Sequence, residues 1–285
     1  MKPANLKSKI FLDSGDPEDT KKILAVLGFL DGQTTNPSLV AKKLTASGNT
    51  LKLSSDGLLY EYRKIVEEIS ALIPNGSVSI EVYADKNTQA SEMLNQGRGM
   101  FAWIPNAHIK YPTTAEGLKA AELSIKEGMR VNMTLVFDIE QAAAVYVATK
   151  GAKKGDVFIS PFIGRLDDRG ENGMDLIKNI AALYKKHDDH VEILSASIRN
   201  IDHFMGSIAS GADILTCPMA VLEQWASGGM KVPDEKYIYD TKNLRPIPTE
   251  PLNLNASWDT FDISHSLTDA GLEKFASDWN ALIGE

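Results

Sequence analysis

One unit repeats along most of this chain and restricts what it can fold into. A short apolar strand carries a polar residue near its C-terminal end, a turn follows, and an amphipathic helix comes next. Strands are predicted at 9–13, 31–37, 77–83, 107–112, 130–136, 156–161, 191–197 and 213–217. The intervening helices are predicted at about 18–28, 57–73, 86–96, 115–127, 138–150, 172–186, from 201, and from 218 to 227, with a short one after Pro37. Strands alternating with helices pair in parallel. Eight such units in 285 residues fit a closed (β/α)8 TIM barrel. An open doubly wound sheet is the alternative, but helices cover both its faces and its strands should read almost continuously apolar. These strands do not, and no glycine-rich dinucleotide turn follows the first of them. The chain is therefore expected to be one α/β domain over 1–285. An irregular, proline-rich excursion is expected at about 228–262, before a C-terminal helix at about 268–283. Tyr237, Tyr239 and Trp258 within the excursion imply that it packs, either over the barrel mouth or against another subunit.

The strand at 107–112 shows what the polar positions can do. Ala107, Ile109 and Tyr111 share one face, and His108 and Lys110 the other. Pro112 stops the strand, and Thr113 or Thr114 can cap the helix that follows. Lys110 thus stands at a strand's C-terminal end, and a neutral lysine is a nucleophile toward carbonyls. Five other strands end in the same way, with Asp13, Asn36, Glu81, Asn132 plus Thr134, and Ser160. In a barrel these side chains point into the lumen at its C-terminal mouth. Scattered buried polar groups would each cost desolvation, so the repetition indicates one convergent site. Blander roles exist for each residue. Asp13 can cap a helix, Asn36 can serve a turn, and Glu81 can partner a buried lysine. Thr134 and Ser160 can satisfy nearby backbone. Arg165 precedes Asp167 and Asp168 and can pair locally.

Composition narrows the partners. Net charge is −8 with no basic block, so neither nucleic acid nor an anionic membrane is an expected partner. No stretch approaches the ~20 apolar residues of a membrane span. The N-terminus lacks a signal-like apolar core, and a cytoplasmic setting is expected. Cys217 is the single cysteine and reads as core. The five histidines are scattered and His187 and His190 show no third ligand, so no metal is expected.

In order along the chain, Phe11-Leu-Asp-Ser14, Asp31-Gly-Gln-Thr-Thr-Asn-Pro-Ser38, Ile109-Lys-Tyr-Pro-Thr-Thr114, Val131-Asn-Met-Thr-Leu-Val-Phe137, Ile159-Ser-Pro-Phe-Ile-Gly-Arg-Leu166 and Ala196-Ser-Ile-Arg-Asn200 resemble the successive motifs of transaldolases. The likeness is closest to the short transaldolases and the fructose-6-phosphate aldolases akin to them. Leu267–Phe275 also resembles their C-terminal helix. The resemblance implies a class I enzyme of the pentose phosphate pathway that needs no cofactor or metal. Such an enzyme moves a dihydroxyacetone unit from sedoheptulose 7-phosphate or fructose 6-phosphate to an aldose phosphate. A lyase of the aldolase type, an enzyme for another anionic sugar, and a sugar-phosphate-binding barrel without turnover are the alternatives.

The residue types fit that chemistry. Lys110 can form a Schiff base whose iminium acts as the electron sink for C–C cleavage. Asp13 can be the base for the C4 hydroxyl, and Glu81 can shuttle protons through a water. Asn36 and Asn132 can bond sugar hydroxyls, while Thr134 and Ser160 can place a water or the sugar. The resemblance implies that Arg199, and with it Arg165, binds phosphate. It also implies that Glu81 and Phe162, where related aldolases carry glutamine and tyrosine, favour transfer over release. Two departures stand out: Tyr111 replaces a small aliphatic residue, and the short members lack the 228–262 excursion. The resemblance implies a homo-oligomer, and the excursion leaves its form open.

Overall fold

The structure is a computed structural model that describes residues 1–46, 52–241, 243–249 and 251–284. Strands β1 (Lys9–Asp13), β2 (Gly32–Thr34), β3 (Ser77–Glu81), β4 (Ala107–Pro112), β5 (Val131–Val136), β6 (Val157–Pro161), β7 (Val191–Ser195) and β8 (Ile214–Cys217) pair in parallel. Because β8 also pairs with β1, the sheet closes into a barrel in sequence order. The helices are α1 (Pro17–Leu27), α2 (Pro37–Ala46), α3 (Ser55–Leu72), α4 (Ala90–Phe101), α5 (Ala115–Lys126) and α6 (Ile139–Ala148). They continue with α7 (Ile163–Asp168), α8 (Gly173–Tyr184), α9 (Ile201–Ala209), α10 (Met219–Ser227) and α11 (Ser266–Asn280). None is long and apolar enough to cross a membrane.

The expected (β/α)8 TIM barrel is the observed fold, and its local stops and starts follow from the residues at each boundary. Thr114 accepts from Gly117 N at 3.1 Å and so starts α5 directly after β4. Asp16 caps α1, which leaves Asp13 free of that task. β2 is shorter than expected because Pro37 opens a helix, where its missing N–H costs nothing. The loop after β6 contains α7, which the sequence reading passed over. A helix of six residues has too few turns to show a period.

In β3, Val78 and Ile80 are fully buried against the helices, and Ser79 and Glu81 face the lumen. In β4, Tyr111 also faces outward and is fully buried, its hydroxyl 3.0 Å from Ser124 Oγ on α5. Gly97 on α4 makes room for it, since a Cβ there would stand 2.0 Å from the phenol oxygen. The absent side chain at Gly97 leaves the space that the Tyr111 phenol fills. Below the polar layer the lumen is closed by aromatic rings. His108 stacks on Phe158 at 4.0 Å, and Phe11 meets Phe158 edge-on at 5.9 Å. Burial drives the His108 imidazole down to about 3, so this floor is uncharged at neutral pH.

The 228–262 excursion runs along the outer helices. Tyr239 donates to Asp167 of α7 at 2.9 Å, and its ring sits on Gly206 of α9. Arg245 N donates to Gly170 O at 2.8 Å, and Asn179 of α8 donates to Ile247 O at 3.1 Å. Trp258 donates to Glu122 of α5 at 3.2 Å, and Asp262 N donates to Glu140 of α6 at 2.7 Å. None of its described residues lines the cavity at the barrel mouth. Instead it carries the chain back around the barrel to α11, and α11 lies over the mouth. Thr268 donates to Leu135 O of β5 at 2.9 Å, Leu272, Phe275 and Ala276 pack above Glu81 and Pro112, and Asp278 accepts from Ser38 of α2. β5 meets this helix through a bulge: its pairing register slips between Met133 and Val136, and Leu135 has φ 63°. A left-handed leucine costs roughly 1–3 kcal/mol. The Thr268 hydrogen bond and the burial of Leu135 against α11 hold it there.

Candidate active site

A cavity of about 330 Å³ opens at the C-terminal mouth of the barrel, where barrel active sites lie. It is lined by Asp13, Asn36, Lys110, Ser160, Phe162, Arg165 and Arg199, with Thr34, Ser197, Thr216, Lys274 and Phe275 among their neighbours. Strand ends deliver the inner set. Glu81 pairs with Lys110 in register across β3 and β4, and Lys110 with Asn132 across β4 and β5. Side chains at matched register on adjacent parallel strands point the same way, so the three converge.

Lys110 Nζ lies 2.9 Å from Glu81 Oε2, and both side chains are 4% exposed. They form a buried ion pair, and among the described residues Glu81 Oε2 has no further hydrogen-bond partner. Nζ also approaches Thr35 O at 3.4 Å. Burial pushes the Glu81 carboxyl above the usual carboxylate range, against the pull of the Lys110 ammonium. Glu81 is thus a buried partner of a lysine, as its blander reading held, and that lysine is Lys110. Tyr62 of α3 braces the pair from behind: its hydroxyl accepts from Glu81 N at 2.9 Å and lies 2.5 Å from Thr35 Oγ1.

Asp13 stands on β1. Burial raises its carboxyl too, opposed by Lys110 and by the Thr34 hydroxyl, which donates to Oδ1 at 2.8 Å. Thr34 is in turn 2.6 Å from Thr216 Oγ1 on β8. Asn132 is fixed from both sides, donating to Ser79 Oγ at 3.0 Å and accepting from Ser160 Oγ at 2.7 Å. Ser160 therefore serves a side chain and not the backbone. Among the described residues Thr134 Oγ1 is buried without a partner, so it does not satisfy their backbone either. Asn36 fills the turn role and also borders the cavity. Its Oδ1 accepts from Leu39 N at 2.9 Å, starting α2, while the residue lines the cavity.

The arginines differ from expectation. Arg199 makes the ion pair to Asp168, at 2.8 Å. Arg165 has no ion-pair or hydrogen-bond partner among the described residues. Its guanidinium lies 5.3 Å from the Phe162 ring centroid and 5.9 Å from that of Phe275. Burial and the nearby Arg199 hold it below the usual guanidinium value, against the pull of Glu81 and Asp168. Phe162 packs edge-on to Phe137 at 5.8 Å and faces the cavity.

Sequence reading did not single out Thr34, Ser79, Thr216 or Ser197. Thr34 and Ser79 follow the inward period of their strands and were legible in principle. Ser197 was not, because its position depends on a left-handed turn, φ 58°, after β7. Its carbonyl lies against Gly164, where a Cβ would come within 2.1 Å.

The chain as a whole matches a known family. The family described as Transaldolase/Fructose-6-phosphate aldolase matches residues 10–285. A probable transaldolase of Dehalococcoides mccartyi is 36% identical over 274 residues, covering 96% of this chain and 99% of the relative. Another from Herpetosiphon aurantiacus is 36% identical over 274 residues, covering 96% of each. One from Alkaliphilus metalliredigens is 34% identical over 275 residues, covering 96% and 99%. This chain belongs to the transaldolase/fructose-6-phosphate aldolase family.

Proposed function

We propose that this protein is a transaldolase that moves a dihydroxyacetone unit from a ketose phosphate, sedoheptulose 7-phosphate or fructose 6-phosphate, to an aldose phosphate. The observation that carries the reading is the buried Lys110–Glu81 pair at 2.9 Å, opening on a cavity that also holds Asp13 and an unpaired arginine. Glu81, with its carboxyl raised by burial, takes the ammonium proton and leaves a neutral amine. The amine attacks the ketose carbonyl; the carbinolamine takes a proton and loses water to give the iminium. Among the described residues Thr134 Oγ1 has no hydrogen-bond partner and Glu81 Oε2 has none beyond its ion pair with Lys110, and a water held between them would bond both and shuttle these protons. Asp13 then takes the C4-hydroxyl proton, the C3–C4 bond breaks, and its electrons pass into the iminium as an enamine. The aldose leaves. The enamine attacks an incoming aldehyde, Asp13 returns the proton, and hydrolysis frees Lys110.

Asn36 and Asn132 hold hydroxyls of the three-carbon unit, with Ser160 fixing Asn132. Arg165 and Arg199 take the phosphate, for which a planar guanidinium is suited. The phenyl ring of Phe162 offers no proton to the enamine, which favours transfer over release. The test is borohydride reduction with fructose 6-phosphate. A three-carbon adduct on Lys110, absent in Lys110→Ala, is expected. No adduct in the wild type, or an equal one in the variant, would sink the proposal. Free dihydroxyacetone released as fast without acceptor as transfer proceeds with it would instead assign the lyase.

A further inference from the structure

Helix α11 forms one wall of the cavity, and its face there is built around a cation. Lys274 and Phe275 line the cavity. Gly271, one turn earlier, lies under Arg165: a Cβ at 271 would come within 2.8 Å of Arg165 Nη1 and 2.5 Å of Leu135 Cδ2. Positions 271, 274 and 275 share one helix face, so Lys274 projects from the surface on which Arg165 rests. Lys274 is paired with Asp278 one turn on, and Asp278 also accepts from Ser38, which lines the opposite rim. Among the described residues, Asp13 on the lumen side is the only carboxylate lining the cavity.

Resting on the sugar-phosphate reading above, we infer that Lys274 is a third cation of the substrate-phosphate subsite. It exchanges Asp278 for the phosphate when a sugar phosphate binds, and Gly271 keeps Arg165 seated beside it. A phosphate dianion offers three oxygens, and two guanidinium groups leave one for an ammonium point charge. The helix that roofs the mouth would then itself tell phosphorylated sugars from plain ones.

The test uses the full chain and the variants Lys274→Ala, Lys274→Arg and Gly271→Ala. The Lys274 side chain is 62% exposed, so its variants should fold. Titration calorimetry with inorganic phosphate should show binding to the wild type, about tenfold weaker binding to Lys274→Ala, and recovery to near the wild-type value in Lys274→Arg. In turnover, the ratio of kcat/KM for fructose 6-phosphate over fructose should fall by about the same factor in Lys274→Ala. KM for the phosphate ester should carry that change. Gly271→Ala should move the ratio in the same direction. Equal phosphate affinity in Lys274→Ala and the wild type overturns the inference, and so does a wild type that binds no phosphate. A wild type that forms no borohydride adduct sinks the transaldolase reading alone, because the phosphate titration still decides the role of Lys274.

Discussion

Replacing Lys110 with methionine should destabilise the fold in a pH-dependent way, because the lysine neutralises carboxyls that the barrel holds out of water. Lys110 and Glu81 are each 4% exposed and 2.9 Å apart. Removing one partner of such a pair costs about 3–5 kcal/mol, since the other charge stays buried alone. Both Glu81 and Asp13 already sit above their ordinary values, and the Lys110 ammonium is the strongest influence opposing that rise in each. Methionine removes the opposition, and both should rise further. A carboxyl raised in the folded state binds a proton there that the unfolded chain has already released. Stability therefore falls as pH climbs from the unfolded value, near 4, toward the folded one. For one carboxyl this amounts to at most ~1.4 kcal/mol per pH unit between its unfolded and folded values. Lys110→Met should thus lose about 3–5 kcal/mol at pH 7.5 and much less at pH 5.5. In a chain of this size that is roughly 2 °C of Tm per kcal/mol, so a drop of about 6–10 °C at the higher pH. Adding Glu81→Gln, an amide without charge, should restore most of it. The assay is thermal and urea unfolding of the wild type and both variants at the two pH values. A Lys110→Met protein as stable as wild type at pH 7.5, or a deficit that neither pH nor Glu81→Gln alters, would refute the reasoning.

Other outcomes follow from particular contacts. Asp13→Ala should retain the Lys110 adduct but slow cleavage by 10²–10⁴-fold, the ordinary share of a general base at roughly neutral pH; single-turnover kinetics with fructose 6-phosphate measures it. Phe162→Tyr should raise free dihydroxyacetone production without acceptor, read by coupled assay, because a phenol beside the cavity can donate to the enamine. Thr268→Val removes the donor to Leu135 O at 2.9 Å and the acceptor for Gln141 Nε2 at 2.8 Å. It should cost about 2–3 kcal/mol in urea unfolding and raise KM, since the β5 bulge loses its tie to α11. Gly164→Ala drives a Cβ to 2.1 Å from Ser197 O and should push α7, with Arg165, off the end of β7. KM for the phosphorylated donor should rise, and an unchanged KM would mean that α7 can shift without moving the guanidinium.

How much of this molecule the sequence specified depends on how local each decision was. The two-residue period assigns a face to every strand side chain. Eight short strands alternating with helices leave few closures, so the barrel and its inner set of Asp13, Glu81, Lys110, Asn132, Thr134 and Ser160 could be read directly. A chain's returns over long separations carry no such period. Whether the excursion near 228–262 covers the mouth or follows the outer helices was decided by contacts such as Tyr239 with Asp167 and Trp258 with Glu122. The helix at the C-terminus was legible, but its place over Glu81 and Pro112 was not, because an amphipathic face states that it is buried and not against what. The arginines show the same limit. The acidic neighbours of Arg165 suggested a local pair, yet the turn after β7 brings Arg199 to Asp168 and leaves Arg165 over Gly271 between two phenyl rings. Sequence alone determined the barrel and the residues pointing into it, since strand geometry is fixed residue by residue. Tertiary structure decided which of the two site arginines lacks an ion-pair partner among the described residues and which helix closes the mouth, since those depend on where distant segments meet.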